Sequence, residues 1–128
     1  MSDFNKKADV VIIGLGGIVG ASVVHHLIER GWDNIIGIDK SGVPTDIGST
    51  GHASDFCFNT MHDQMTIFTT KYSIDFFEKR GRYERIGGLE VARKDDDERM
   101  RELERRVSSG RAFGSRVEMV TAKKAKEL

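Results

Sequence analysis

Hydrophobic residues along this chain change period several times, and each change marks an element. Val10-Val11-Ile12-Ile13 is a continuous, β-branched run, the pattern of a parallel strand buried on both faces. After the glycines that follow, Ile18, Ala21, Val24, Leu27 and Ile28 recur at spacings of three and four, which puts them on one face of a helix. Gly31 falls where a left-handed helix cap belongs. A second short strand from Asn34 to Ile38 ends in Asp39. Strand, helix and strand of these lengths fit a right-handed β-α-β crossover, so the fold class is α/β.

Downstream the pattern loosens. Residues 40–54 are loop-like, with Gly42, Pro44, Gly48, Ser49, Thr50 and Gly51 leaving little room for regular structure. A second helix is expected from about Gln64 to Lys79, with Ile67, Tyr72 (or Lys71), Ile74 and Phe77 on one side. Arg85 to Arg93 reads as a strand with a bulge or bend at Gly87-Gly88. Asp95 to Val107 reads as a surface helix. Its acids come first and Arg105 and Arg106 last, as the helix dipole prefers, with Met100, Leu103 and Val107 as a narrow apolar stripe. Val117 to Val120 suits one more short strand, and Thr121 an N-cap. Seven residues follow Thr121, so the chain reads as the N-terminal portion of a longer domain, cut in mid-element.

Composition narrows the function. Leu, Ile, Val and Phe make up about a quarter of the 128 residues, enough for a core and a single domain. Lys+Arg and Asp+Glu both number 20, so no net field attracts nucleic acid or an anionic membrane, and neither partner is expected. The uncharged segment 10–24 is too short to span a bilayer, and its four glycines and leading Asp9 set it apart from a secretory signal. Cys57 alone makes no internal disulfide and suits a reducing, cytoplasmic setting. No Cys/His spacing reads as a metal site. His25 and His26 sit on the first helix and read as structural, His62 has no matched partner, and Phe56 and Phe58 flank Cys57 as core or cofactor-wall packing. The charges from Glu78 to Arg106 read as a solvated face of mixed sign.

The chemistry gathers at Gly14, Gly16, Gly17 and Gly20. A pyrophosphate needs close donors with no side chain in the way, and a glycine turn at a helix N-terminus provides backbone N–H groups and a favourable dipole end. The pattern follows a strand, opens an amphipathic helix, and is followed 19 residues after Gly20 by Asp39, which suits it to the adenosine ribose hydroxyls and against a 2′-phosphate. One residue more than G-x-G-x-x-G separates Gly16 from Gly20. Either the turn bulges, or Gly17 takes a neighbour's role.

A plain NAD domain continues promptly into another helix and strand, whereas this chain runs into Gly48-Ser49-Thr50-Gly51-His52-Ala53. Four motifs, I-I-G-L-G-G-I-V-G-A-S, E-R-G-W-D-N-I, G-S-T-G-H-A and G-G-L-E-V-A-R, together resemble the N-terminal part of FAD-dependent amine oxidoreductases of the dimethylglycine/sarcosine dehydrogenase type, within the D-amino acid oxidase-like superfamily. The resemblance runs over essentially the whole chain from Asp9. It implies a Rossmann-like FAD-binding domain whose remainder, with the substrate domain, lies downstream. It also implies a small N-methylated amine as substrate and hydride transfer to flavin. Gly14, Gly16 and Gly20 would support the FAD pyrophosphate and Asp39 the ribose, while Ser49 and Thr50 would line the cofactor. His52 matches the histidine that several members attach covalently to the flavin. Gly17, Lys40 and Ala53 complete the candidate set. Where the family usually shows x-G after H-A, Asp55 follows Ser54. The other readings are a different FAD- or NAD-dependent oxidoreductase on the same unit, and a non-catalytic regulatory relative.

Overall fold

The computed structural model describes residues 7–44 and 47–128. The chain falls into two compact units, Met1–Asp55 and Phe56–Leu128.

The first unit is the expected crossover. Strand β1 (Val10–Ile13) pairs in parallel with β2 (Ile35–Ile38), Val10 opposite Ile35 and Ile13 opposite Ile38, with helix α1 (Ile18–Glu29) between them. α1 ends as the sequence suggests. Gly31 adopts φ +87°, and the Gly31 and Trp32 amides donate to the carbonyls of Ile28 and Leu27. A residue with a Cβ resists that left-handed conformation, so glycine stops the helix there. Gly81 and Gly114 follow the next two helices with the same pair of bonds.

Two expectations for this unit are corrected. β1 is not buried on both faces: Val11 and Ile13 are 52% and 85% exposed, while Val10 and Ile12 are half-buried. Among the described residues of the unit, α1 covers one face of a two-stranded sheet and no second layer backs the other. The apolar stripe of α1 is also narrower than its periodicity suggests. Val24 and Leu27 are half-buried and Gly20 is buried, whereas Ile18, Ala21 and Ile28 are exposed. Contact centres on Gly20 because the helix comes closest to the chain there.

In the second unit, α2 (Gln64–Glu78) starts at Asp63, whose carboxylate accepts the Thr66 amide at 2.8 Å. Ile67 and Ile74 are its fully buried anchors, each contributing about 1.5–3 kcal/mol of transfer free energy. Phe77 is half-buried, but Tyr72 and Lys71 face outward. Spacings of seven from Ile67 to Ile74 define a seam too narrow to include them. α3 (Asp97–Ala112) is capped by Asp96, which accepts the Arg99 amide at 2.9 Å, and buries Leu103. It runs five residues beyond Val107, through Ser108-Ser109-Gly110. These poor helix formers persist because Gly110 is buried beside Val117, whose methyl a Cβ would meet at 2.8 Å. α4 (Ala122–Ala125) begins at Thr121, whose hydroxyl accepts the Lys124 amide.

Neither strand expected in this unit forms a ladder. Residues 85–93 do bend where glycine allows it, at Gly87 (φ +82°), yet no strand pairs with them among the described residues. Side chains hold the segment instead. Glu90 accepts Thr60 Oγ1 at 2.7 Å, Arg99 Nη2 at 3.0 Å and Arg106 Nη1 at 3.1 Å. Part of the charged stretch from Glu78 to Arg106 is thus a half-buried network and not simply a solvated face. His62, unmatched in the sequence, pairs with Glu102 at 2.6 Å, and Glu102 also accepts Arg106 Nε at 3.1 Å. Val117–Val120 has no strand partner among the described residues; the Val117 carbonyl accepts Arg111 Nε. Phe56 and Phe58 pack edge-to-face at 4.6 Å but are each 45% exposed, so they are not core.

Candidate functional site

Every candidate residue of the sequence reading lies in the first unit, within the described residues. Gly14 leaves β1 at φ +91°, and its amide donates to the Ile38 carbonyl at 2.7 Å, tying the turn to the end of β2. Gly17 is the N-cap of α1, with extended backbone and no side chain. Gly20, three residues on, is buried. A Cβ there would overlap the Gly14 carbonyl and approach Leu15 Cα at 3.0 Å. The spacing Gly17-x-x-Gly20 therefore matches the last two glycines of the dinucleotide pattern, and the extra residue sits ahead of the cap. Of the two ways to accommodate it, the chain uses Gly17.

Gly16 is left with a different task. Its amide donates to Asp39 Oδ2 at 2.9 Å, so the acid at the end of β2 clasps the turn. Asp39 Oδ1 accepts both the amide and the hydroxyl of Ser41 at 3.0 Å. The Ser41 amide, then the Gly16 amide and the Ser41 hydroxyl, hold the Asp39 carboxyl below the usual carboxylate range. The Lys40 amide adds a weaker interaction of the same sign, so the carboxylate is engaged by the backbone on both of its oxygens.

The loop expected at 40–54 contains one turn of 3-10 helix, Ser49–His52, while residues 45–46 lie outside the described part. Thr50 Oγ1 accepts the Ile18 amide at 3.0 Å, and a Cβ on Gly17 would rest 3.5 Å from that oxygen. Thr50 thus satisfies the first orphan donor of α1. The next two, Val19 and Gly20, donate to no acceptor among the described residues. Val19 is exposed and Gly20 buried, and unbonded first-turn amides are the donors that an anion meets at a helix N-terminus. Ser49 and His52 are exposed within the turn, and Ala53 closes it, its amide donating to the Thr50 carbonyl. Lys40 is exposed beside Asp39. Asp55 has φ +57°, the left-handed region, at the position where the resembling family carries glycine.

Sequence reasoning missed two residues here. Ser41 could have been found from the Asp-x-Ser spacing, since a short polar side chain after a strand end commonly bonds its neighbours' backbone. Gly37, inside β2, is where Leu15 folds over the sheet; a Cβ there would overlap Leu15 Cδ2. An isolated glycine in a strand is itself the signal of such an approach.

A glycine turn clasped by the next strand's acid, at the start of a helix with unbonded first-turn amides, is the arrangement that the dinucleotide pattern describes. Residues 9–128 match the family described as FAD dependent oxidoreductase (DAO). The chain belongs to that family. A curated relative is the mouse (Mus musculus) pyruvate dehydrogenase phosphatase regulatory subunit, mitochondrial. The two are 29% identical over 129 residues, covering 95% of this chain and 14% of the relative. The chain thus spans about one-seventh of that relative's length. No solved structure matches the chain at a significant level. Among the described residues, no helix is long and apolar enough to cross a membrane.

Proposed function

We propose that the first unit holds the ADP half of FAD, with the pyrophosphate at the N-terminus of α1. The observation that carries this reading is a helix that starts on a glycine turn, its Val19 and Gly20 amides donating to no acceptor among the described residues, with Val19 exposed and Gly20 buried behind it. In this reading Gly14, Gly16, Gly17 and Gly20 shape the turn, and Asp39, at the end of β2, meets the ribose. Thr50 positions the 49–53 loop against the helix end, and Lys40 flanks the ribose side. When bound, FAD supplies the hydride acceptor, and the protein supplies binding and orientation.

The substrate we propose is a small N-methylated amine of the dimethylglycine or sarcosine kind, on the strength of G-S-T-G-H-A and G-G-L-E-V-A-R. His52, exposed at the end of its turn, is the proposed point of covalent attachment to the flavin; a neutral imidazole nitrogen is the nucleophile such a bond needs. The rest of the FAD site and the substrate pocket would come from the remainder of the FAD and substrate domains, so the 128 residues alone should bind FAD weakly and turn over no amine. The single thiol at Cys57 favours a reducing compartment, and we assign the cytoplasm.

A second reading is favoured by a specific observation: the curated relative is named a regulatory subunit. In that case the nucleotide fold serves regulation without amine turnover. The two readings part in the protein that carries this segment in its full context. Amine oxidation requires dimethylglycine or sarcosine to bleach the bound flavin's visible absorbance under anaerobic conditions. Flavin fluorescence on an acid-denatured gel, lost in His52→Ala, supports the covalent link. Bound flavin that no amine reduces favours the regulatory reading.

A further inference from the structure

We propose that His25, His26 and Glu29 form a surface site for a divalent cation of the zinc type. The zinc signatures of the sequence rest on spaced cysteines and histidines, and they pass over this group because the histidines are adjacent and the third donor is a carboxylate. On α1 the arrangement converges. Glu29 is one turn beyond both histidines; His25 Nε2 lies 3.2 Å from Glu29 Oε1, and His26 Nδ1 lies 2.9 Å from Glu29 Oε2. One donor atom from each of the three residues falls within 4.8 Å of the others.

Those separations suit a metal. Zinc bonds of about 2.0–2.1 Å in a tetrahedron put neighbouring donors about 3.3 Å apart. The two imidazole–carboxylate separations are already close to that edge. The imidazoles meet edge-on at 71°, with ring centres 5.2 Å apart, so the rings do not stack face to face across the gap. The side chains are 36%, 26% and 51% exposed, which leaves a route for an ion and for a water as fourth ligand. Two imidazoles select zinc, copper or nickel over magnesium or calcium, which prefer oxygen donors.

Position adds a second argument. The group occupies the C-terminal half of α1, where the helix dipole favours a cation. The glycine turn is at the opposite end of the 12-residue helix, about 12 Å from His25 and about 18 Å from Glu29 along its axis. The site therefore stands apart from nucleotide binding. A cation there would clip the end of α1 and raise the melting temperature of the chain by mass action.

The test titrates the full chain with ZnCl2 near pH 7.5, followed by calorimetry and by imidazole NMR signals, with MgCl2 as the hard-ion control. We expect saturable binding of one zinc per chain with His25 and His26 shifting, no response to magnesium, and a rise in melting temperature. Affinity should fall at least tenfold in Glu29→Gln and in His26→Ala, two substitutions on the helix surface whose folding circular dichroism verifies. The proposal is overturned if zinc does not saturate, or if binding is unchanged in both variants and follows His52, His62 or Cys57 instead.

Discussion

Asp39 Oδ2 accepts the Gly16 amide at 2.9 Å across 23 residues of chain, so the acid after β2 holds the glycine turn after β1. One carboxylate both organises the turn and, in the proposed function, meets the ribose. Asp39→Ala should therefore lower affinity for the ADP portion of FAD by more than loss of a single ribose contact, at least tenfold. Asp39→Asn keeps one acceptor oxygen and should fall between. Competitive titration with ADP and with its 2′-phosphate checks this, because the preference for the unphosphorylated ligand should shrink in both variants.

Gly20 and the Gly14 carbonyl are too close for any side chain between them. Alanine is the better helix former by about 1 kcal/mol, but here its methyl must push the helix off backbone that cannot step aside. Gly20→Ala should destabilise the first unit by about 1–3 kcal/mol. Gly17→Ala meets only ordinary contacts and should cost less, about 1 kcal/mol at most, from the poorer cap. Urea unfolding of the two variants side by side gives the comparison.

Four carboxylates are held below their ordinary range: Asp39 by Ser41 and Gly16, Asp63 by the Thr66 amide, Glu78 by Arg85, and Glu102 by Arg106 and His62. A depressed carboxylate stabilises the fold fully above its unfolded pKa, and this stabilisation is lost as pH falls through the folded value. Their combined contribution should therefore be flat from about pH 5 to 8 and decline below about pH 4.5. Three of the four belong to the second unit, so helical signal there should fade first on acidification. Denaturant midpoints at pH 3.5, 5 and 7 measure it.

At Asp55 the backbone is left-handed (φ +57°), a conformation glycine adopts freely and Asp tolerates better than most residues. Asp55→Gly should leave stability unchanged or raise it by up to about 1 kcal/mol, whereas Asp55→Val should lower it by about 1–2 kcal/mol. Melting temperatures of the pair decide the point.

The first unit was largely legible in the sequence because its signals are local. A β-branched run, a glycine turn, a helical stripe and an acid at fixed distance each constrain a few adjacent residues. The Thr121 cap was equally readable, since an N-cap is a contact three residues long, whereas Asp63 and Asp96 emerge as caps only in the structure. Strands fared worse. Arg85–Arg93 and Val117–Val120 have strand-like composition, but a strand exists only with a partner backbone, and periodicity carries no information about partners. Glu90, bonded to Thr60 thirty residues away, shows what replaced the ladder. Burial was misjudged for a related reason, because the apolar run of β1 specifies what it can pack against and not whether one unit supplies both layers.

The central claim is that the dinucleotide sits at the N-terminus of α1. The most direct measurement is a backbone amide NMR titration of the chain with FAD, which detects weak binding. The largest shifts should fall on Gly16 to Gly20, with Asp39 and Thr50 following, and Gly20→Ala should abolish them. Shifts confined to residues 56–128, or none at millimolar FAD, would contradict the assignment.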